Sequence, residues 1–299
     1  MGSWKTQDYV ETIRLGASFT RRYYLSIFLA ILGVFAITVS LFLLLLFIGS
    51  ILLSAVYGPF DEIFDVFDSI GDALAQASDV EAVGIVLFLG SALLAPFLIA
   101  MGALFGMGQE IMESGSASAE EVLLWYRQKF LRLAAGGIAQ FLFIIGPIGA
   151  EYILAAWYYG DRVPNAASFT ILVALAVFWF LLSSGMLSMV FPSIVDGTSV
   201  SSSIKHSLGL TWNNLGAVFS IWITFSSLSL LLLGPIIFQE FAGFIFLTGA
   251  AYDLYVVLSG LVLILMLLPV YVLSATRVYL IISDPNIKEA QETHRKEPT

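Results

Sequence analysis

The chain contains no cysteine. Disulfides, thiolate nucleophiles and cysteine-based metal sites are therefore excluded. Histidine is nearly as scarce. His206 and His294 are the only two, one in a polar stretch ahead of an apolar run and one in the polar tail, so no histidine pair can hold a metal within a span. Charge is thin as well. Asp, Glu, Lys and Arg make up 12% of the 299 residues, against about 25% in an ordinary soluble domain. A soluble fold of this length would lack the polar surface to cover its core. HExxH, GxSxG and glycine-rich phosphate loops are missing. No cleavable signal peptide is expected, because the first apolar run, 25–56, far exceeds a signal core of about 7–15 residues.

What the chain has is hydrophobicity: 59% of residues are apolar and the mean hydropathy is +0.93. Apolar runs at 25–56, 83–107, 133–158, 166–190, 216–234 and 254–282 are each long enough to span a bilayer, given that a span needs about 20 residues. Residues 236–251 are apolar but broken by Glu240 and glycines, which reads as an interfacial or partly re-entrant piece. The expected fold is all-α, a single six-helix membrane domain over 1–285 with a polar tail over 286–299.

Three of the polar connections share a layout. Residues 191–215 begin at Phe191-Pro192, turn at Asp196-Gly197-Thr198, then place Val200, Ile204, Leu208, Trp212 and Leu215 on one helical face before an apolar run. Residues 9–24 put Val10, Ile13, Ala17 and Tyr24 on one side. A third helix, started by the capping box Ser118-x-x-Glu121, aligns Val122, Tyr126 and Phe130. Such helices belong in the membrane interface with their apolar sides in the acyl boundary. They enter the next span at Arg21-Arg22-Tyr23, Gln128-Lys129-Phe130 and Asn213-Asn214-Leu215, and the later two spans each carry a Gly-Pro pair, at Pro147 and Pro235. The expectation is three parallel repeats, at about 7–108, 116–192 and 198–283, each an interfacial helix followed by two spans.

Every Lys and Arg except Arg162 falls on one side of this topology. The positive-inside rule then makes both termini and the three interfacial helices cytoplasmic, in a multi-pass protein of the cell membrane. Residues 59–79, with Asp61, Asp65, Asp68 and Asp72 on one face, form an external acidic helix, read most simply as a solvated surface. The net charge of −9 and this asymmetry give no reason to expect nucleic acid.

Residues 192–214 carry Pro192, Ile194-Val195-Asp196-Gly197, Ile204-Lys205, Ser207 and Trp212-Asn213-Asn214. This pattern resembles the polytopic membrane domain of glycerophosphoryl diester phosphodiesterases and related stand-alone prokaryotic membrane proteins of unknown function. The chain has no polar segment long enough for the soluble phosphodiesterase domain, so the resemblance implies a fold and not the hydrolase activity.

Ionisable groups at membrane depth are functional candidates. Here they are Glu110, Glu151, Asp196, Glu240, Asp253 and Arg277; the plainer reading is structural, with each group reaching the headgroups. Three-fold pseudo-symmetry would bring Arg277 to Glu110 or Asp196. Arg21, Arg22, Arg127, Lys129, Lys205 and Trp212 mark the candidate interfacial surface. No cofactor, metal or catalytic set is expected. The expected function is a non-enzymatic scaffold, membrane-shaping or accessory subunit; its expected partners are membrane lipids, with a further copy of the chain or another membrane protein as the protein partner. The alternative is a permease or lipid-handling transporter with a pathway between the repeats.

Overall fold

A computed structural model describes residues 6–57, 79–115, 119–159, 166–242 and 248–283. The acidic segment 59–78, the polar turn around Arg162, the capping residue Ser118 and the tail lie outside the described residues. Among the described residues, ten α-helices and one π-helical turn follow in order: α1 (Thr6–Arg22), α2 (Tyr24–Tyr57), α3 (Asp79–Ser114), α4 (Ala119–Tyr159), α5 (Ala166–Met186), α6 (Val190–Val195), α7 (Val200–Asn213), α8 (Leu215–Ala242), α9 (Ala250–Val262), the π turn Leu263–Leu267, and α10 (Leu268–Ser283). No strand occurs among the described residues.

Six stretches are long and apolar enough to cross a membrane: Tyr24–Leu52, Leu94–Ser114, Leu124–Tyr159, Ala167–Val195, Leu215–Ile236 and Ala250–Ser283. Their surfaces need an apolar solvent. Leu43 through Ile48 are consecutive large hydrophobic residues, each between 46% and 61% exposed, so α2 is bare on all sides there. Water would make that arrangement untenable, whereas hydrocarbon is its natural surrounding.

Two differences from the sequence expectation concern where helices end. The fifth span does not stop at Gly234-Pro235, because α8 continues through Pro235 to Ala242, so residues 236–242 are helix and not a separate piece. Proline leaves a carbonyl without its donor, and within a bilayer another group must supply one. Tyr255 on α9 donates to the Leu232 carbonyl at 2.7 Å, beside the carbonyl that Pro235 deprives. The fourth span, expected to run to Val190, breaks after Met186 and resumes as α6. Pro192 lies within the first turn of α6, where a missing N–H costs nothing, but its ring would clash with Ser188 in an unbroken helix.

The chain forms two compact units. The larger draws on Met1–Gly33, Gly102–Leu133 and Gly185–Thr299. Its centre is α10, where Val272 through Leu280 are all buried, including the polar Ser274, Thr276 and Arg277. Phe105 stacks on Phe191 at 5.6 Å between ring centroids, and Tyr271 meets Phe105 and Phe225 edge-on. Helix α1 packs on α10 where Gly16 lies against Ser274 and the Val270 carbonyl. Small residues at such crossings let backbones approach closely.

The smaller unit comprises Val34–Met101 and Ala134–Ser184. Its tightest crossing sets Gly137 of α4 on the backbone of Ile99 in α3. Pro147 removes the donor for the Phe143 carbonyl, and the Trp179 indole N–H on α5 takes its place at 3.1 Å.

Candidate functional site

The stretch 191–215, singled out in the sequence, folds into a polar knot in the larger unit. The helix break at residues 187–189 strands the Met186 carbonyl, because the Val190 N–H bonds Leu187 instead. Helix α7 answers it. Ser207 and Thr211 donate to the Met186 carbonyl at 2.8 and 3.3 Å. With Ser203 they form a fully buried hydroxyl row at four-residue spacing.

The turn between α6 and α7 depends on Gly197, whose φ of +101° is a conformation that L side chains rarely adopt. Thr198 is its hub: its hydroxyl donates to the Ser193 carbonyl at 2.6 Å and meets the hydroxyls of Ser193 and Ser203. Ser199 caps α7 by accepting from the Ser202 N–H. Two distant side chains close the knot. The Lys129 ammonium donates to the Val195 carbonyl at 2.6 Å, a cation on the C-terminal carbonyls of α6, and sits 4.5 Å from the centroid of the Trp125 ring. The Tyr279 hydroxyl donates to the Asp196 carboxylate at 3.0 Å.

His206 lies near Ser193, with Nδ1 at 3.4 Å from Oγ, and its ring meets Tyr279 edge-on. Serine, histidine and aspartate thus gather without forming a nucleophilic relay. Ser193 is fully buried, its contact with His206 is long, and Asp196 is bonded to Tyr279. The chemistry of the knot is that of a latch: it joins the ends of α6, α7, α10 and α4. Among the described residues no group of three or more His, Asp or Glu side chains is placed to hold a metal.

Arg277, one turn from the latch on α10, pairs with Glu11 of α1 at 3.4 Å, and the Glu11 backbone carbonyl accepts from the same guanidinium. Glu11 was not among the partners suggested by pseudo-symmetry; Asp196 takes its hydrogen bond from Tyr279. Glu110 is half-buried near the end of α3, and Asp253 is exposed in the first turn of α9, where the helix dipole favours an acid. Glu240 belongs to α8, its side chain outside the described set. Arg21, Arg22, Arg127, Lys205 and Trp212 are exposed, and Arg22 stacks over Tyr23. Glu151 faces an open groove of about 750 Å³ in the smaller unit, between α4 and α5.

Sequence reasoning missed Glu11, Tyr279, Trp179 and the hydroxyl row. The row left a signal, since Ser203, Ser207 and Thr211 recur at helical spacing. Removing it tests the latch: Ser207→Ala with Thr211→Val orphans the Met186 carbonyl and should destabilise the fold by about 1–3 kcal/mol. Thermal unfolding in detergent reads the loss, and an unchanged midpoint would mean that the carbonyl finds another donor.

The class defined by this architecture is an all-helical, multi-pass membrane protein. No protein-family model, curated protein or solved structure matches the chain.

Proposed function

We propose that this is a non-enzymatic integral membrane protein that acts as a scaffold or accessory subunit, through three interfacial helices on the cytoplasmic face of the cell membrane. One observation carries the reading: α1 and α7 bury their small and hydroxyl residues fully, while their apolar residues stay half-buried or exposed. Thr12, Gly16 and Thr20 of α1 and Ser203, Ser207 and Thr211 of α7 are buried, whereas Val10, Trp212 and the adjoining Leu215 are 56%, 69% and 45% exposed. An apolar side that the fold covers only in part is open to lipid or to a partner.

Local geometry supports reading three repeated units. Helical structure is interrupted at each expected junction: at Tyr23, at Lys129 with φ −126° and ψ 15°, and at Asn214 with φ −132° and ψ 41°. In the second and third units, a Gly-Pro pair inside the first span is accompanied by an aromatic donor from the next, Trp179 or Tyr255. The transporter reading calls for polar groups converging at mid-bilayer. The hydroxyls of Thr38, Ser183, Thr224 and Ser259 instead donate to carbonyls of their own helices.

Orientation is tested by single cysteines, which the native chain lacks. Ser3→Cys and Thr293→Cys should resist an impermeant thiol reagent in intact cells, and Ala73→Cys should react; labelling at 3 or 293 reverses the topology. The working surface is tested by replacing Ile204, Leu208 and Trp212 with serine. The buried row of α7 is untouched, so the variant should insert and keep its thermal midpoint, yet fail to restore the phenotype of cells lacking the protein. Full restoration would make these helices packing elements only.

A further inference from the structure

The groove between α4 and α5 in the smaller unit contains a feature that apolar packing does not explain. Its walls are formed by Leu154, Leu172, Leu175 and Phe178, and into them projects Glu151. The Glu151 Oε1 atom is shielded from solvent and has no hydrogen-bond partner. A carboxylate oxygen buried without a donor is costly, and none of the described residues supplies one to Glu151. Tyr158 and Tyr159 also line the groove, packed edge-to-face at 5.0 Å, and Tyr158 and the neighbouring Trp157 are 75% and 82% exposed. Aromatic residues of this kind gather at the boundary between headgroups and hydrocarbon. Carboxylate and aromatic faces together suit a cation with N–H groups, since both attract positive charge.

We propose that this groove seats a phospholipid with a primary ammonium headgroup. The ammonium donates to Glu151 beneath the tyrosines, and an acyl chain lies along Leu175 and Phe178, leading away from them. Three features favour a lipid over a soluble amine: the groove is open on its side, its walls are apolar, and Leu154 and Leu175 are 64% and 53% exposed. The seat requires no transport and stands apart from the scaffold reading.

The test uses the full chain in detergent, with native mass spectrometry after incubation with phosphatidylethanolamine, phosphatidylcholine or phosphatidylglycerol of identical acyl chains. The parent should retain phosphatidylethanolamine about tenfold better than the other two. Glu151→Gln should abolish that preference, and Leu154→Trp should reduce retention by filling the groove. Equal retention of the three lipids by the parent overturns the proposal, as does an undiminished preference in Glu151→Gln. If Glu151→Gln fails to fold, the comparison on the parent decides, because choline keeps the charge but has no N–H to donate.

Discussion

Gly137→Ala should cost the smaller unit about 3 kcal/mol, at the upper end of the usual range for overpacking, and Gly137→Leu should leave no folded protein. A Cβ at position 137 would lie 2.8 Å from both Cα and N of Ile99 and 2.9 Å from the carbonyl carbon of Leu98. These are backbone atoms of a continuous helix. They cannot rotate away as a side chain could, so α3 and α4 would have to separate along their contact. Gly16→Ala presents a milder case. Its Cβ would meet the rotatable Ser274 hydroxyl at 2.7 Å and the Val270 carbonyl at 3.2 Å. Gly49→Ala has nothing within 4 Å and should cost nothing. Recovery of monodisperse protein after graded heating reads all three, with Gly49 above Gly16 and Gly16 above Gly137. A Gly137→Ala variant as stable as the parent would mean that the two helices do not touch at this point.

The second large effect concerns the pair formed by Arg277 and Glu11. The Arg277 side chain is 9% exposed and that of Glu11 34%. Breaking a fully buried pair typically costs about 3–5 kcal/mol, because the surviving charge is stranded. Glu11 reaches solvent and Arg277 keeps the Glu11 backbone carbonyl, so that figure must be discounted, and Glu11→Gln should destabilise by about 1–2 kcal/mol. Arg277→Met removes the buried charge itself and should cost less. The double variant should resemble Arg277→Met alone, since Glu11 matters chiefly as the partner of the guanidinium. Unfolding midpoints of the four proteins form the cycle. Additive losses would show that the two side chains act independently.

How much of this was legible in the sequence depended on what each residue answers to. The spans answer to length and composition, which are local, and all six emerge from hydropathy alone. The breaks at Lys129 and Asn214 lie where polar residues meet an apolar run, again a local signal. The end of the fifth span was misread because Pro235 and Glu240 look like terminators in a soluble helix. In a bilayer the helix persists through Pro235, with Tyr255 donating to the neighbouring Leu232 carbonyl. The protein-facing sides of α1 and α7 were left unread in the sequence for a related reason. Apolar periodicity marks the buried side of a helix in water, but beside lipid the apolar side carries no such meaning. The protein side is then marked by Thr12, Gly16 and Thr20, or by Ser203, Ser207 and Thr211. The partner of Arg277 was invisible because Glu11 lies at the opposite end of the chain and no pattern in one sequence links them.

The aromatic donor opposite Gly146-Pro147 bears on how the chain is made. While α4 is alone in the bilayer, the Phe143 carbonyl faces hydrocarbon with no donor, and only the later arrival of Trp179 satisfies it. An unmet carbonyl in that medium costs several kcal/mol. The first helix of the pair is therefore a weaker solitary membrane anchor than its composition suggests, and the second retains it. Biosynthetically, the indivisible step of membrane insertion is then the helical hairpin, and a ribosome stalled between its two arms would leave the first able to slip back out.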